Sequence, residues 1–404
     1  MNPNHYFLPN PNGRSPRSFR PNPSVSANFR RQSKVFKLYQ APSTLINHPP
    51  FLSGSTAIVD LAVGRDSKAL VGVECAVHTD HVFIDGRIAA RKGKCAVTNE
   101  EIEEIARKVY REAGYGGIWI HAPEKLKVIQ NVCLEPLSDD ERAIRNLSDD
   151  QNVVTGFACN HPETDYLPPA YFIANFIGRK LDGWRRTVSD KFGPDFKVLV
   201  HIDDNGGRYE WRRLTLSIQH REGVFAAEQH ELVLPVVSGA LAELEARGLA
   251  GISNLPLENF ILNGMGDFIV GGPEGDNGLS GKKLAVDFYG PEIPIGGGAI
   301  CGKDPHKVDV AGAFRARELA RRLLKERGGS AVTVRLGWTP GDAAPAFREA
   351  ESIDSLGLTH PIPSSALPPE DWFSINSIVA DLRLTEIGRR EKVLSGYFVE
   401  PDFT

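Results

Sequence analysis

The sequence predicts an α+β fold assembled from three similar units, and three observations carry that prediction. An alternating strand pair followed by an amphipathic helix stands at residues 70–114, a second strand pair and helix at 197–248, and a strand, helix, strand run at 282–338. With 404 residues, 41% of them hydrophobic, the chain can bury several cores and holds two or three domains.

Residues 1–34 stand apart. They are rich in Pro, Asn, Ser and Arg and contain no acid, the first in the chain being Asp60, so they read as a disordered basic tail. Arg14, Arg17, Arg20, Arg30 and Arg31 would also suit a transit peptide, but prolines interrupt any amphipathic helix there. The first folded unit, 35–140, carries LVGVECAVH and HVFIDGRI as a hairpin. Thr98 and Glu101 then make a T-x-x-E capping box, after which Ile102, Ile105, Ala106, Val109 and Ala113 keep helical spacing up to Gly114. The central unit, 141–258, carries strands KVLVHID and RLTLSIQH and the helical stretch EQHELVLPVVSGALAELEARG, which stops at Gly248. The last unit, 259–404, carries KKLAVDFY as a strand, a helix from about Val310 to Arg327, and AVTVRLGW. That helix puts Ala313, Ala316, Ala320, Leu323 and Leu324 on one stripe, and ARELARR and RRLLKERG read as its solvated face.

Composition excludes several classes of function. A net charge of −4 argues against a general nucleic-acid binder, and no apolar run approaches the roughly 20 residues that span a bilayer. Five cysteines, Cys75, Cys95, Cys133, Cys159 and Cys301, are scattered, odd in number and without C-x-x-C spacing, which favours a reducing compartment over a zinc site or a disulfide framework. The chain reads as soluble and cytoplasmic. His78 and His81 flank a turn without further ligands nearby and read as structural.

The chemistry concentrates between Phe268 and Asp309, where repeated glycine turns accompany Lys282, Lys283, Lys303 and Lys307 and acids that include Asp276, Asp304 and Asp309. Glycine lets backbone N–H groups approach an anion, lysine supplies compact positive charge, and carboxylates hold the metal that accompanies a polyphosphate. A nucleotide P-loop does not fit. With Gly281-Lys282 in register, Asp276 takes the place of the first glycine and Lys283 that of the hydroxyl. Composition alone also suits glycine turns between strands that carry solvated lysines.

Two strings here, GGPEGDNGLSGKKLAVDFYG and GGGAICGKDPHKVDVAGAF, closely resemble the carboxy-terminal third of S-adenosylmethionine synthetases, also called methionine adenosyltransferases. A weaker likeness runs upstream through most of the chain. The resemblance implies three related α+β domains about a pseudo-threefold axis. It implies an enzyme in which methionine sulfur attacks C5′ of ATP and expels tripolyphosphate, later hydrolysed to pyrophosphate and phosphate. Mg²⁺ and K⁺ are the implied cofactors, ATP and methionine or a related thioether the implied ligands, and a homodimer or higher homo-oligomer the implied assembly. By matched position, Lys282 and Lys283 bind phosphates, Lys303 and Lys307 match two further lysines with Lys303 assigned to catalysis, and Asp309 ligates Mg²⁺. Asp276 contacts the methionine amino acid moiety, Phe268 packs on adenine, and Asp150 in SDDQN contacts the adenosine ribose.

Three departures accompany the likeness. The family's G-H-P-D-K string meets INHPPFL, which keeps His48 and Pro49 but has Asn47, Pro50 and Phe51 in the Gly, Asp and Lys places. The spacing to Glu74, matched to the family's K⁺-binding Glu, supports that register and leaves His48 as the candidate that assists leaving-group departure, whereas proline cannot replace a magnesium-binding carboxylate. The residues after Phe51, LSGSTAIVDLAVGRDSKALVG, lack the regular helix the family has there. Gly86-Arg87 stands where the family has a Gly-Glu that contacts the methionine amino group, and an arginine there would instead pair with a carboxylate. In GWRRTVSDKFGPD, Arg186, or alternatively Lys191, matches the family's phosphate-handling lysine.

Three functions follow. The intact late cluster favours a methionine adenosyltransferase that forms S-adenosylmethionine; Arg87 favours a same-fold ATP-using adenosyltransferase with a different acceptor; the missing Asp favours a catalytically silent nucleotide-binding homologue.

Overall fold

The structure, a computed structural model, describes residues 37–40, 49–92, 97–386 and 397–398, with side chains from Gly54 onward; the tail 1–34 and His48 lie outside the described residues. The first described elements are β1 (Lys37–Gln40) and α1 (Pro49–Arg65), followed by the hairpin β2 (Leu70–His78) and β3 (His81–Ala89). The hairpin forms where alternation places it, with His78 opposite His81 across the turn. Its inward residues Val71, Val73, Cys75, Val77, Val82, Ile84 and Ile88 are buried, and α1 packs on β2 and on α2 (Asn99–Ala113). Both bonds of the Thr98–Glu101 capping box are made, and Gly114 closes α2 at a φ of 96°.

α1 corrects the expectation that no regular helix follows Phe51. Ser55, Ile58, Val59, Ala62 and Val63 recur at three- and four-residue spacing and are all buried. Small side chains and two glycines, Gly54 and Gly64, dilute the apolar signal of that stripe.

β4 (Lys127–Leu134) runs parallel to β3, and α3 (Asp139–Ala143) is a five-residue helix closed by a Ser138–Glu141 capping box. Next come β5 (Asn152–Cys159), α4 (Pro169–Arg185), β6 (Phe192–Asp204), β7 (Tyr209–His220) and α5 (Ala226–Ala246). α4 is buried almost all round, with Ala170, Tyr171, Phe172, Ile173, Ala174 and Phe176 fully enclosed. The chain continues through β8 (Phe260–Leu262), β9 (Gly278–Leu279), α6 (Leu284–Phe288), α7 (Val308–Arg327), β10 (Ala331–Trp338), β11 (Phe347–Ile353), β12 (Thr359–Ile362) and α8 (Ile375–Asp381). Among the described residues no helix is long and apolar enough to cross a membrane.

The strands make three four-stranded sheets, β1-β6-β7-β8, β12-β11-β10-β5 and β4-β3-β2-β9, and the fold is α+β as expected. Each sheet takes in a strand from far away in sequence: β1 lies against β6, β5 against β10, and β9 against β2. The alanine and leucine stripe of α7 is buried, and the helix packs on β5 and β10. Its expected solvated face is not wholly solvated, since Arg317 is buried and donates to the carbonyls of Phe157 and Tyr166. KKLAVDFY, expected as a strand, instead turns through α6. Val286, Asp287, Phe288 and Tyr289 are buried in succession, which an alternating strand with one wet face does not do. Phe288 packs edge-on against Tyr397 and Tyr289 stacks on Phe398.

Candidate active site

The glycine-rich loop before α7 lies directly on β2. The Val73 N–H donates to the Gly302 carbonyl at 2.8 Å, and Lys303 bridges to Gly72. Gly302 has a φ of 75° and any Cβ there would sit 1.9 Å from the Val73 carbonyl oxygen, so only glycine allows this approach. Asp304 anchors the loop from below. Its fully buried carboxylate accepts from the Val71 N–H at 2.8 Å, the His306 N–H at 2.9 Å and Arg145 at 2.6 Å. Burial pushes that carboxyl up, but Arg145 and the two N–H donors overcome it and hold it well below the usual carboxylate range.

This anchoring sets Lys303, Lys307 and Asp309 along one wall. The Lys303 amine meets Asp309 Oδ1 at 2.8 Å, the same oxygen accepts from Asn152 Nδ2 at 2.8 Å, and Lys307 meets Asp149 at 2.5 Å. A cavity of about 520 Å³ opens beside them, bounded by Lys303, Lys307, Glu74, Asp85, Gly298 and Ser280 among others. Glu74 and Asp85 stand opposite each other in the β2–β3 register, so two acids and two lysines line one cavity. Asp150 is exposed beside Asp149, its carboxylate accepting from the Gln151 N–H at 2.7 Å.

Lys282 and Lys283 belong to a second group. The Lys282 amine donates to the Asn277 side chain at 2.7 Å and lies 3.9 Å from Asp276. Lys283 is half-buried, and burial together with Lys197 and Lys282 lowers its pKa against the opposing pull of Asp276 and Asp195. Asp195 is buried, and burial pushes its carboxyl up to about 7 although the Gly272 N–H donates to it at 2.7 Å. Ser280, Gly281 and Leu284, which flank the two lysines in sequence, line the first cavity. Phe268 sits at the head of the same loop, half-buried, exchanging backbone and ring hydrogen bonds with His220.

Asp195 and Lys197 are not among the residues expected from sequence. Their signal is an acid and a base two apart near the start of a strand, and both act on Lys283. Arg186, expected in this role, stands elsewhere: it is exposed, paired with Asp182 at 2.9 Å and bonded to the Glu112 carbonyl at 2.6 Å. Lys191 pairs with Glu228 at 2.8 Å. Arg87 is held by Glu141, which keeps its guanidinium firmly charged.

Among the described residues no group of three or more His, Cys, Asp or Glu side chains is placed to hold a metal ion unaided. Asp309 fits the lesser demand of a magnesium ion that arrives on a polyphosphate, because such an ion needs only one or two protein carboxylates.

Residues 270–404 match the family described as S-adenosylmethionine synthetase, C-terminal domain. The S-adenosylmethionine synthase of Hyphomonas neptunium is 32% identical over 319 residues, covering 76% of this chain and 78% of its own length. That of Parvibaculum lavamentivorans is 31% identical with the same coverage. The solved structure of an unusual S-adenosylmethionine synthetase from Campylobacter jejuni covers 91% of this chain and 95% of its own with a TM-score of 0.73, and at 21% identity it speaks to the fold. Glycine loop, paired lysines and overall architecture agree with these likenesses, and the chain belongs to the S-adenosylmethionine synthetase family.

Proposed function

We propose that this chain is a methionine adenosyltransferase that joins ATP and methionine into S-adenosylmethionine. The observation that carries the proposal is the wall of Lys303, Lys307 and Asp309 fixed on β2 beside a cavity, within the stretch that matches the family. Methionine sulfur forms a bond to C5′ while the C5′–O bond to the triphosphate breaks, and tripolyphosphate leaves with the electron pair. C5′ is a poor electrophile unless that departing charge is neutralised, and two amines already held beside the cavity supply this. Water then cleaves tripolyphosphate to pyrophosphate and phosphate while the same amines hold it.

In this reading Lys282 and Lys283 take further phosphate oxygens, Asp276 the methionine amino acid moiety, Phe268 the adenine and Asp150 the ribose. Lys197 adds a further positive charge beside Lys283, and Asp195 offsets part of their repulsion. Asp309 would hold Mg²⁺ and Glu74 the K⁺; the divalent ion, when bound, would add charge neutralisation at the phosphates. The outer face of the β4-β3-β2-β9 sheet exposes Phe83, Ile129 and Leu279, which supports a homodimer or higher homo-oligomer that covers it. The units 35–140, 141–258 and 259–404 are carried forward on the three sheets, with strands exchanged between neighbours.

Incubation with ATP, Mg²⁺ and K⁺, with and without methionine, tests the proposal. S-adenosylmethionine with both phosphate products supports it; an adenosyl product formed without methionine would move the acceptor elsewhere, the reading that Arg87 favours. ATP binding without any turnover would leave a silent homologue. Lys303→Ala is expected to lower kcat by about a hundred- to a thousandfold.

A further inference from the structure

The segment between β4 and β5 reaches two cations, Lys307 on the cavity and Arg87 next to its lining residue Gly86. Glu141 on α3 grips Arg87 through two parallel hydrogen bonds, Nε to Oε1 at 2.7 Å and Nη2 to Oε2 at 2.9 Å. Asp149 holds the Lys307 amine at 2.5 Å. Both pairs are half-buried, so they are less screened than surface pairs. Their cations share one rung of the sheet. Arg87 stands opposite Gly72 in the β2–β3 register, and the Lys307 side chain passes over Gly72, its Cε 3.6 Å from where a Cβ would be.

Between the two acids the segment is pinned. Arg145 donates to Asp304 at 2.6 Å, to the Ala69 carbonyl at 2.8 Å and to the Lys68 carbonyl at 3.2 Å, all beneath the surface. A fixed centre with one carboxylate on either side brings one acid to a lysine of the cavity and the other to an arginine paired across the strands with Gly72, which lines it. A bidentate carboxylate on arginine has the geometry that a ligand's carboxylate or phosphate would adopt there.

We propose that residues 135–151 form a self-inhibiting strap, in which the carboxylates of Glu141 and Asp149 occupy Arg87 and Lys307 until a linear polyphosphate displaces them. This rests on the reading of the cavity as a polyphosphate site. The strap makes the wall selective for charge, because an incoming anion must outcompete carboxylates already seated and a chain of three phosphates does so better than a single one. It also keeps the amines from gathering stray anions while the site is empty.

Calorimetric titration of the full chain with inorganic tripolyphosphate at fixed ionic strength tests this. Asp149→Asn and Glu141→Gln are each expected to tighten binding by roughly tenfold, the scale of one charged hydrogen bond, and the double variant to tighten it further. Glutamine keeps the capping bond to the Ser138 N–H, so Glu141→Gln leaves α3 intact and decides between the two outcomes should Asp149→Asn fail to fold. Unchanged or weaker binding in folded variants overturns the strap. Turnover of ATP and methionine by the unaltered chain tests the proposed function separately: turnover without a gain in either variant removes only the strap, and loss of both turnover and tripolyphosphate binding removes both.

Discussion

Arg145 and Asp304 are 159 residues apart in sequence and meet at 2.6 Å with both side chains almost wholly buried. Asp304→Asn would leave the Arg145 charge enclosed without its partner, at an expected cost of about 3–5 kcal/mol in unfolding free energy at neutral pH. The folded carboxyl titrates below its ordinary value of 3.8, so its stabilisation is full above that value and is lost as pH falls beneath it. Chemical denaturation of wild type and variant should therefore give a gap that begins to narrow below about pH 5 and keeps narrowing on further acidification. A gap that stayed constant on acidification would contradict this assignment.

Gly302 is the point where the lysine-bearing loop touches β2. Gly302→Ala places a methyl group against the Val73 carbonyl and asks alanine for a left-handed backbone, so the loop must lift. Backbone strain alone is about 1–3 kcal/mol, and displacement of Lys303 should lower kcat more than it raises KM. Steady-state kinetics beside a melting curve would separate the two effects; kinetics like those of the wild type would show that the contact does not position the amine.

Asp287 is fully enclosed on α6, its Oδ2 lacks a hydrogen-bond partner among the described residues, and burial pushes its carboxyl up to about 7. A raised folded value means that the native state keeps the proton longer than the unfolded chain. Stability therefore declines as pH rises from the ordinary 3.8 to about 7 and is level above that. Asp287→Asn, which imitates the protonated acid, should raise the melting temperature near pH 8 and change it little near pH 4. Asp195 contributes a similar slope, so the variant flattens the profile without abolishing it.

Lys197 and Arg186 offer a direct comparison. Lys197 interacts with Lys283, whereas Arg186 is committed to Asp182 and the Glu112 carbonyl at the surface. Lys197→Ala is expected to lower kcat/KM by at least about tenfold, and Arg186→Ala by less than about threefold. The reverse order, measured with ATP as the varied substrate, would restore Arg186 to the phosphates.

Legibility in the sequence follows the strength of the local signal. α2 can be read to its ends because Thr98, Glu101 and Gly114 punctuate a regular apolar stripe, and the β2–β3 hairpin because its alternation is strict. α1 escapes because serine and alanine fill much of its buried face, and α6 passes for a strand because a short apolar run fits either period. The lysine wall is visible as an ordered string, since its residues are close in sequence and glycine marks the turns. Asp149, Asp195 and Glu141 are not, because each gains meaning only from a partner brought in by the fold: Lys307, Lys283 and Arg87.

The placement of β5 beside β10 has a consequence for synthesis of the chain. β5 leaves the ribosome with neither flank paired and waits for its partner among the described strands until Ala331–Trp338 and the helix before them have been made. Through that interval its exposed backbone is a docking surface for other nascent chains, and a product terminated before Ala331 keeps it permanently. Completion of β10 thus pairs β5 only after the lysines have already been made, so a chain truncated before Ala331 would carry the site's cations on an unfinished sheet.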